Sequence, residues 1–304
     1  MKKMPASARI CLIFMSLGVV SGAAALTGDK AAPKLEYHLD AGWPKLPNGM
    51  KLGGISAVAS DSKGNIYLLH RLKPHILVFG SDGTFLRSWS GDFKTPHGLR
   101  IDKEGHLWIA DMANHLVQKF KPDGTLLLKL GQKDKPGLGA DQFNKPADVA
   151  VGKDGEIYVA DGYGNSRIAQ FAKDGKFLRD WGKKGKGAGE FNIPHVVVFD
   201  DQDRVVVGDR ENSRVQIFDR TGKLLSQWTD TGAPYGLYLH QDRVYLADGR
   251  TGTIRVLDKT GKLLSRWDSG NAKVAPHWIS VDAQGAIYVG FVSGSKIERW
   301  TLKS

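Results

Sequence analysis

The sequence predicts an all-β fold: a six-bladed β-propeller with four-stranded blades, closed by an N-terminal strand. Three observations carry this. A unit of four short strands recurs six times at intervals of 40 to 50 residues. No helical period competes with it after residue 25. The sixth copy ends one strand short, while an unassigned strand-like segment precedes the first.

The copies open at Ile55 (ISAVASDSKGNIYLLHR, then HILVFGSDGTFLRSW), at Pro96 (PHGLRIDKEGHLWIADM, then HLVQKFKPDGTLLLKL) and at Pro146 (PADVAVGKDGEIYVADG, then SRIAQFAKDGKFLRDW), with further copies at Pro194, Pro234 and Pro276. In each, a mostly apolar first strand such as Leu99-Arg100-Ile101 is followed by a turn with Gly or Asp. An alternating second strand then ends near Asp111, Asp161, Asp209 or Asp248. The third strand ends at Phe79, Phe120, Phe171, Phe218, Leu257 or Trp300. Asp-Gly or Thr-Gly comes next, a hairpin signal where a positive φ is needed. The fourth strand ends in Trp89, Leu130, Trp181, Trp228 or Trp267, large apolar residues suited to the core between neighbouring units. Copy six stops after its third strand. The segment from Leu35 to Trp43 (LEYHLDAGW) supplies the missing one, and closure then removes the exposed edges of an open array. Two Gly/Lys-rich inserts, GQKDKPGLGADQFNKP and GKKGKGAGEFNIP, read as surface loops between blades.

At 304 residues, 41% hydrophobic and 25% charged, the chain can bury a core and is not disordered by composition. Its single cysteine, Cys11, excludes a disulfide scaffold and a Cys-rich zinc module. Lys2, Lys3 and Arg9 flank the apolar stretch 10–20, and Ala23-Ala24-Ala25 offers a small-x-small cleavage site. Residues 1–25 therefore read as an export signal, with a membrane anchor as the alternative. The mature domain, 26–304, is expected to be exported, periplasmic or secreted, with no stable membrane insertion. A net charge of +11 would suit nucleic acid, but export argues against that partner. The lysines are spread through turns, apart from Lys183, Lys184 and Lys186, and read as a solvated basic surface.

One repeat position stands out. In copies one to six it holds Ser56, His97, Ala147, His195, Tyr235 and His277. Histidines in alternate blades of a six-bladed ring lie a third of a turn apart. If the first strand lines the channel, the three converge on the axis. Three neutral imidazoles with an open position form a catalytic type of zinc site. The competing reading is that these are repeat-consensus residues, as His115 after Asn114 in a turn is read to be; Pro-His-Gly openings recur in such repeats without a metal. Where the second strand ends, Arg71 (LLHR) and Arg210 (VGDR) are equivalent residues of opposite copies and face each other across the channel. Tyr163 lies in the DGYGNSR loop. Two guanidiniums suit a carboxylate substrate, and a tyrosine beside a divalent ion can serve as a base. Each has a structural alternative, a salt bridge for the arginines and a blade cap for the tyrosine. Arg167 and Arg214 read as structural repeat arginines.

These repeats resemble NHL repeats. DGYGNSRIAQFAKDGKFLRDWG and DRENSRVQIF further resemble peptidyl-α-hydroxyglycine α-amidating lyase, over copies one to four and less so in five and six. The resemblance implies a zinc held by His97, His195 and His277, a catalytic Tyr163, and active-site arginines at Arg71 and Arg210. It also implies a structural calcium held by the backbone carbonyls of Val58 and Leu99 and by a carboxylate. Trp278 stands where that carboxylate would be, and Gly164 where the family has a disulfide cysteine. The copper monooxygenase unit that makes the family's substrate has no counterpart in these residues. The implied activity is C–N cleavage of an N-acyl-α-hydroxyglycine to an amide and glyoxylate. The substrate is a small molecule or peptide bearing a carboxylate, and no redox cofactor is needed. The rival readings are a non-catalytic propeller that binds a peptide, glycan or envelope protein, and a metal-dependent hydrolase.

Overall fold

A computed structural model describes residues 35–269 and 274–303. The expected export signal lies outside the described residues. Within them there is no helix, and the strands form six four-stranded antiparallel sheets. The inner strands are Ile55–Ser60, Pro96–Ile101, Asp148–Val151, Pro194–Phe199, Pro234–His240 and Trp278–Val281. Each packs against the inner strand of the next blade, and the last packs against the first, so the ring closes. Inner, second and third strands are almost wholly buried, whereas the fourth strands alternate with solvent.

Blade six takes its outermost strand from the other chain end. Tyr37–Leu39 pairs antiparallel with Lys296–Leu302, Tyr37 opposite Leu302 and Leu39 opposite Trp300. An Arg299–Asp40 ion pair at 2.8 Å extends the join. Trp43 follows this strand and is buried against Gly83 of blade one, just as Trp89, Trp181 and Trp228 lie against Gly124, Gly222 and Gly261 of the blades that follow them. Those hairpin glycines have φ between 85° and 93°, and a Cβ on Gly222 would sit 2.6 Å from Trp181. Positive φ and close approach to an indole both exclude a side chain there. The recurring tryptophans are thus the inter-blade core, as the repeat pattern expects.

The two inserts are exposed along much of their length but are pinned from beneath. Phe143 and Phe191 are fully buried. Arg167 binds Asp161 (3.0 Å) and the carbonyls of Leu138 and Gln142. Arg214 does the same with Asp209 (2.8 Å), Lys186, Gly187 and Glu190. Both arginines are structural, and each holds an insert beside the channel end that carries the histidines.

Candidate metal centre

His97, His195 and His277 are buried, and their ligand atoms lie within 4.8 Å of one another. Local structure explains why they point inward. The strand register shifts between Pro96 and Gly98 and again between Pro194 and Val196, so His97 and His195 occupy β-bulges. A bulge re-aims the side chain of the unpaired residue. Gly98 permits the close fit: a Cβ there would lie 2.6 Å from the Ala147 carbonyl. Ile193, a β-branched residue two positions before His195, is held at φ 58°, a strained conformation at the site's edge.

The imidazole tautomers are fixed by a threefold relay. His97 Nδ1 lies 2.8 Å from the Ala147 carbonyl, His195 Nδ1 2.6 Å from that of Tyr235, and His277 Nδ1 2.8 Å from that of Ser56. Ala147, Tyr235 and Ser56 hold, in blades three, five and one, the repeat position that the histidines hold in blades two, four and six. A carbonyl can only accept, so each Nδ1 donates and each Nε2 is left as a bare lone pair. Burial keeps the rings neutral. It pushes His97 and His195 well below their ordinary range and His277 down to about 3, and the charges of neighbouring rings and arginines add to this.

Tyr163 completes the cluster. Its hydroxyl lies 3.0 Å from Nε2 of both His97 and His195, and Arg210 Nη1 donates to it at 3.0 Å. One phenolic proton cannot serve two lone pairs, so at least one Nε2 beside it is left free to bind a cation. Burial raises the phenol's pKa, while Arg210 and Arg71 pull it down. Arg210 is itself buried, bonded to Glu211 at 2.8 Å, with its guanidinium 5.2 Å from the Tyr163 ring centroid and 4.7 Å from that of Tyr235. Arg71 is exposed at the same end; its Nε donates to Ser56 Oγ at 3.1 Å. It does not mirror Arg210 on the tyrosine, although its charge is felt at Tyr163, His97 and His277. Val58 and Leu99 are buried on the inner strands of blades one and two. His115 lies apart, accepting the Lys145 N–H.

The sequence reading did not single out Tyr235 or Glu211 as site residues. Tyr235 had a usable signal, since it shares the histidines' repeat position; Glu211 had only its place beside Arg210. A second group of possible ligands, Asp102, Glu104 and His106, lies at the opposite strand ends beside a cavity of 620 Å³. Asp102 there is already engaged by Trp108 Nε1 and Lys119.

Comparison with known proteins places this arrangement. The NHL repeat pattern matches residues 93–120, 143–171 and 191–218, which include His97, Tyr163, His195 and Arg210. Human NHL repeat-containing protein 3 is 35% identical over 294 residues, covering 88% of this chain and 84% of its own. The chain belongs to the NHL repeat-containing protein 3 family. This NHL-repeat protein is also 36% identical over 225 residues to rat peptidylglycine alpha-amidating monooxygenase, spanning 61% of the chain but 22% of that relative. It is 32% identical over 220 residues to peptidyl-alpha-hydroxyglycine alpha-amidating lyase 1 of Drosophila melanogaster, covering 60% of the chain and 40% of the lyase. Among solved structures, a streptogramin B lyase superposes with a TM-score of 0.64 at 15% identity, covering 88% of this chain and 98% of that one. A gluconolactonase from Xanthomonas campestris superposes with 0.66 at 16%, covering 83% and 87%. At that identity the likeness is one of fold.

Proposed function

We propose that this NHL-repeat protein is a zinc-dependent lyase that cleaves the C–N bond of an N-acyl-α-hydroxyglycine, giving a primary amide and glyoxylate. The observation that carries the reading is the convergence of three neutral, carbonyl-oriented imidazoles on one point beside a tyrosine hydroxyl that is itself bound by an arginine. The amidating-lyase relatives support the reaction class. Three neutral imidazoles suit zinc, which when bound would supply a Lewis acid that eases ionisation of the substrate hydroxyl.

The chain's own residues do the rest. Arg210, and Arg71 at the rim, bind the substrate carboxylate and hold the reacting carbon beside Tyr163. Tyr163 takes the hydroxyl proton, and Arg210 stabilises the phenolate form that can do so. The C–O bond becomes a carbonyl as the C–N bond breaks. The proton removed from oxygen equals the one the leaving amide nitrogen requires, so the reaction balances without water or redox change. Tyr235 backs the guanidinium and Glu211 sets its angle.

A carboxylate-driven hydrolase is a poorer fit, because Asp148, a buried inner-strand carboxylate, is neutralised by Arg100. The rival that keeps support is a propeller that binds without turning over, since the relative with the fuller overlap is named for its repeat and not for a reaction. Residues 1–25 support the proposal that the protein is exported, and a carboxylate-bearing small molecule or peptide is the proposed partner.

The deciding experiment measures metal content and glyoxylate release together on the mature protein. About one zinc per chain is expected, lost in His97→Ala, His195→Ala or His277→Ala, because two imidazoles hold zinc poorly. Zinc-loaded protein that releases no glyoxylate above the uncatalysed rate would leave the binding reading standing.

A further inference from the structure

A second charged group lies within the ring and plays no part in the reaction proposed above. Arg100, three residues beyond His97 on the inner strand of blade two, places Nη2 2.6 Å from Asp148 Oδ2 and Nε 3.2 Å from Oδ1, a two-pronged pair with blade three. Its guanidinium reaches the Leu237 carbonyl of blade five at 3.5 Å and lies 4.8 Å from the Trp278 ring centroid of blade six. Asp148 Oδ2 also accepts the Val197 N–H of blade four at 3.0 Å. Five of the six blades therefore meet on one ion pair. Its side chains are 14% and 0% exposed, and Trp278 is buried beside it.

This arrangement does not fit the calcium that the family resemblance implies. Calcium takes six to eight oxygen ligands, with carboxylates prominent among them. The indole of Trp278 offers none, and the guanidinium against its face repels a second cation. The one inner carboxylate nearby, Asp148, already has two hydrogen-bonded partners.

We propose that Arg100 is the resident cation of the channel. Clamped by Asp148 and seated on Trp278, it ties blades two to six together by a covalently attached charge, and the propeller needs no calcium. The same group braces the metal centre. Arg100 shares a strand with His97, Trp278 follows His277, and Asp148 follows Ala147, whose carbonyl orients His97. Arg100 is thus a positioning residue.

The test uses the mature, metal-loaded protein and does not depend on turnover. Thermal melting of wild type should be unchanged by excess calcium or by EGTA added with enough zinc to keep the histidine site loaded, and calcium should be absent after dialysis against that zinc-buffered EGTA. Arg100→Met keeps an apolar stem and removes the charge, leaving Asp148 buried without its counter-ion. It should melt several degrees lower, and the visible spectrum of its cobalt-substituted form, which reports coordination at the histidines, should shift. Arg100→Lys should recover part of both. A wild type that retains one calcium per chain, or melts higher when calcium is added, would overturn the proposal without any variant being made. So would an Arg100→Met protein whose melting and cobalt spectrum match wild type.

Discussion

Replacing Tyr163 with Phe removes one oxygen and leaves the ring in place. That oxygen makes three contacts at 3.0 Å, with His97, His195 and Arg210. The structural cost is modest, because Arg210 keeps its bond to Glu211 and its packing on the Tyr235 ring. Losing a net hydrogen bond costs about 1 kcal/mol, which in a domain of this size lowers the melting temperature by roughly 2–4 °C. The chemical cost is larger: a positioned proton acceptor contributes about 10²-fold or more, and 10² corresponds to about 2.7 kcal/mol of activation free energy. Zinc content should hold, since the three Nε2 atoms and their carbonyl partners are untouched. The assay is glyoxylate release from a simple N-acyl-α-hydroxyglycine, run beside metal analysis and a thermal melt on the same preparation. Full turnover in Tyr163→Phe refutes the base assignment. Loss of turnover together with zinc refutes it too, because the hydroxyl would then be serving the ion and not the proton.

Other consequences can be checked on stability and on substrate binding. The three buried histidines are neutral when folded, but the unfolded chain takes up their protons below about pH 6.5. Metal-free protein should therefore lose stability as pH falls from there towards the His277 value of about 3, by up to about 1.4 kcal/mol per pH unit for each histidine. Urea midpoints at several pH values test this, and a His277→Gln profile as steep as wild type would contradict it. Deleting residues 26–45 removes the closing strand and Trp43; Trp43→Ala alone should cost about 3–5 kcal/mol. A truncated protein that melts like the mature chain would show that closure does not hold the ring. Arg210→Lys keeps the charge and loses the planar fork, so it should raise KM for the carboxylate substrate and lower kcat, whereas an unchanged KM would remove Arg210 from substrate binding.

The repeat made most of this architecture readable. Six copies of one hydrophobic rhythm give six blades, and the short sixth copy points to the N-terminal strand. The histidines were legible because they break the consensus at one position in alternate copies. What fixes their tautomers was not, because the partners are backbone carbonyls of Ala147, Tyr235 and Ser56, and a carbonyl carries no residue-type signal. Arg100 was hidden for a different reason. In Leu99-Arg100-Ile101 it reads as a lone polar residue in a mostly apolar first strand, and only the closed ring brings Asp148 and Trp278 to it. Repeat equivalence did not show that Arg71 and Arg210 make different contacts, because Tyr163 of blade three comes to Arg210 while Arg71 donates to Ser56.

Every histidine at the axis borrows its orientation from the blade after it, and for His277 that neighbour is the first blade of the chain. The three-histidine cluster is therefore completed last. During synthesis, a chain halted before residue 277 has two of the three imidazoles and none of the contact that joins blade six to blade one. A metal ion held by all three imidazoles would therefore bind only once the ends of the polypeptide meet, and by linkage it would favour their meeting.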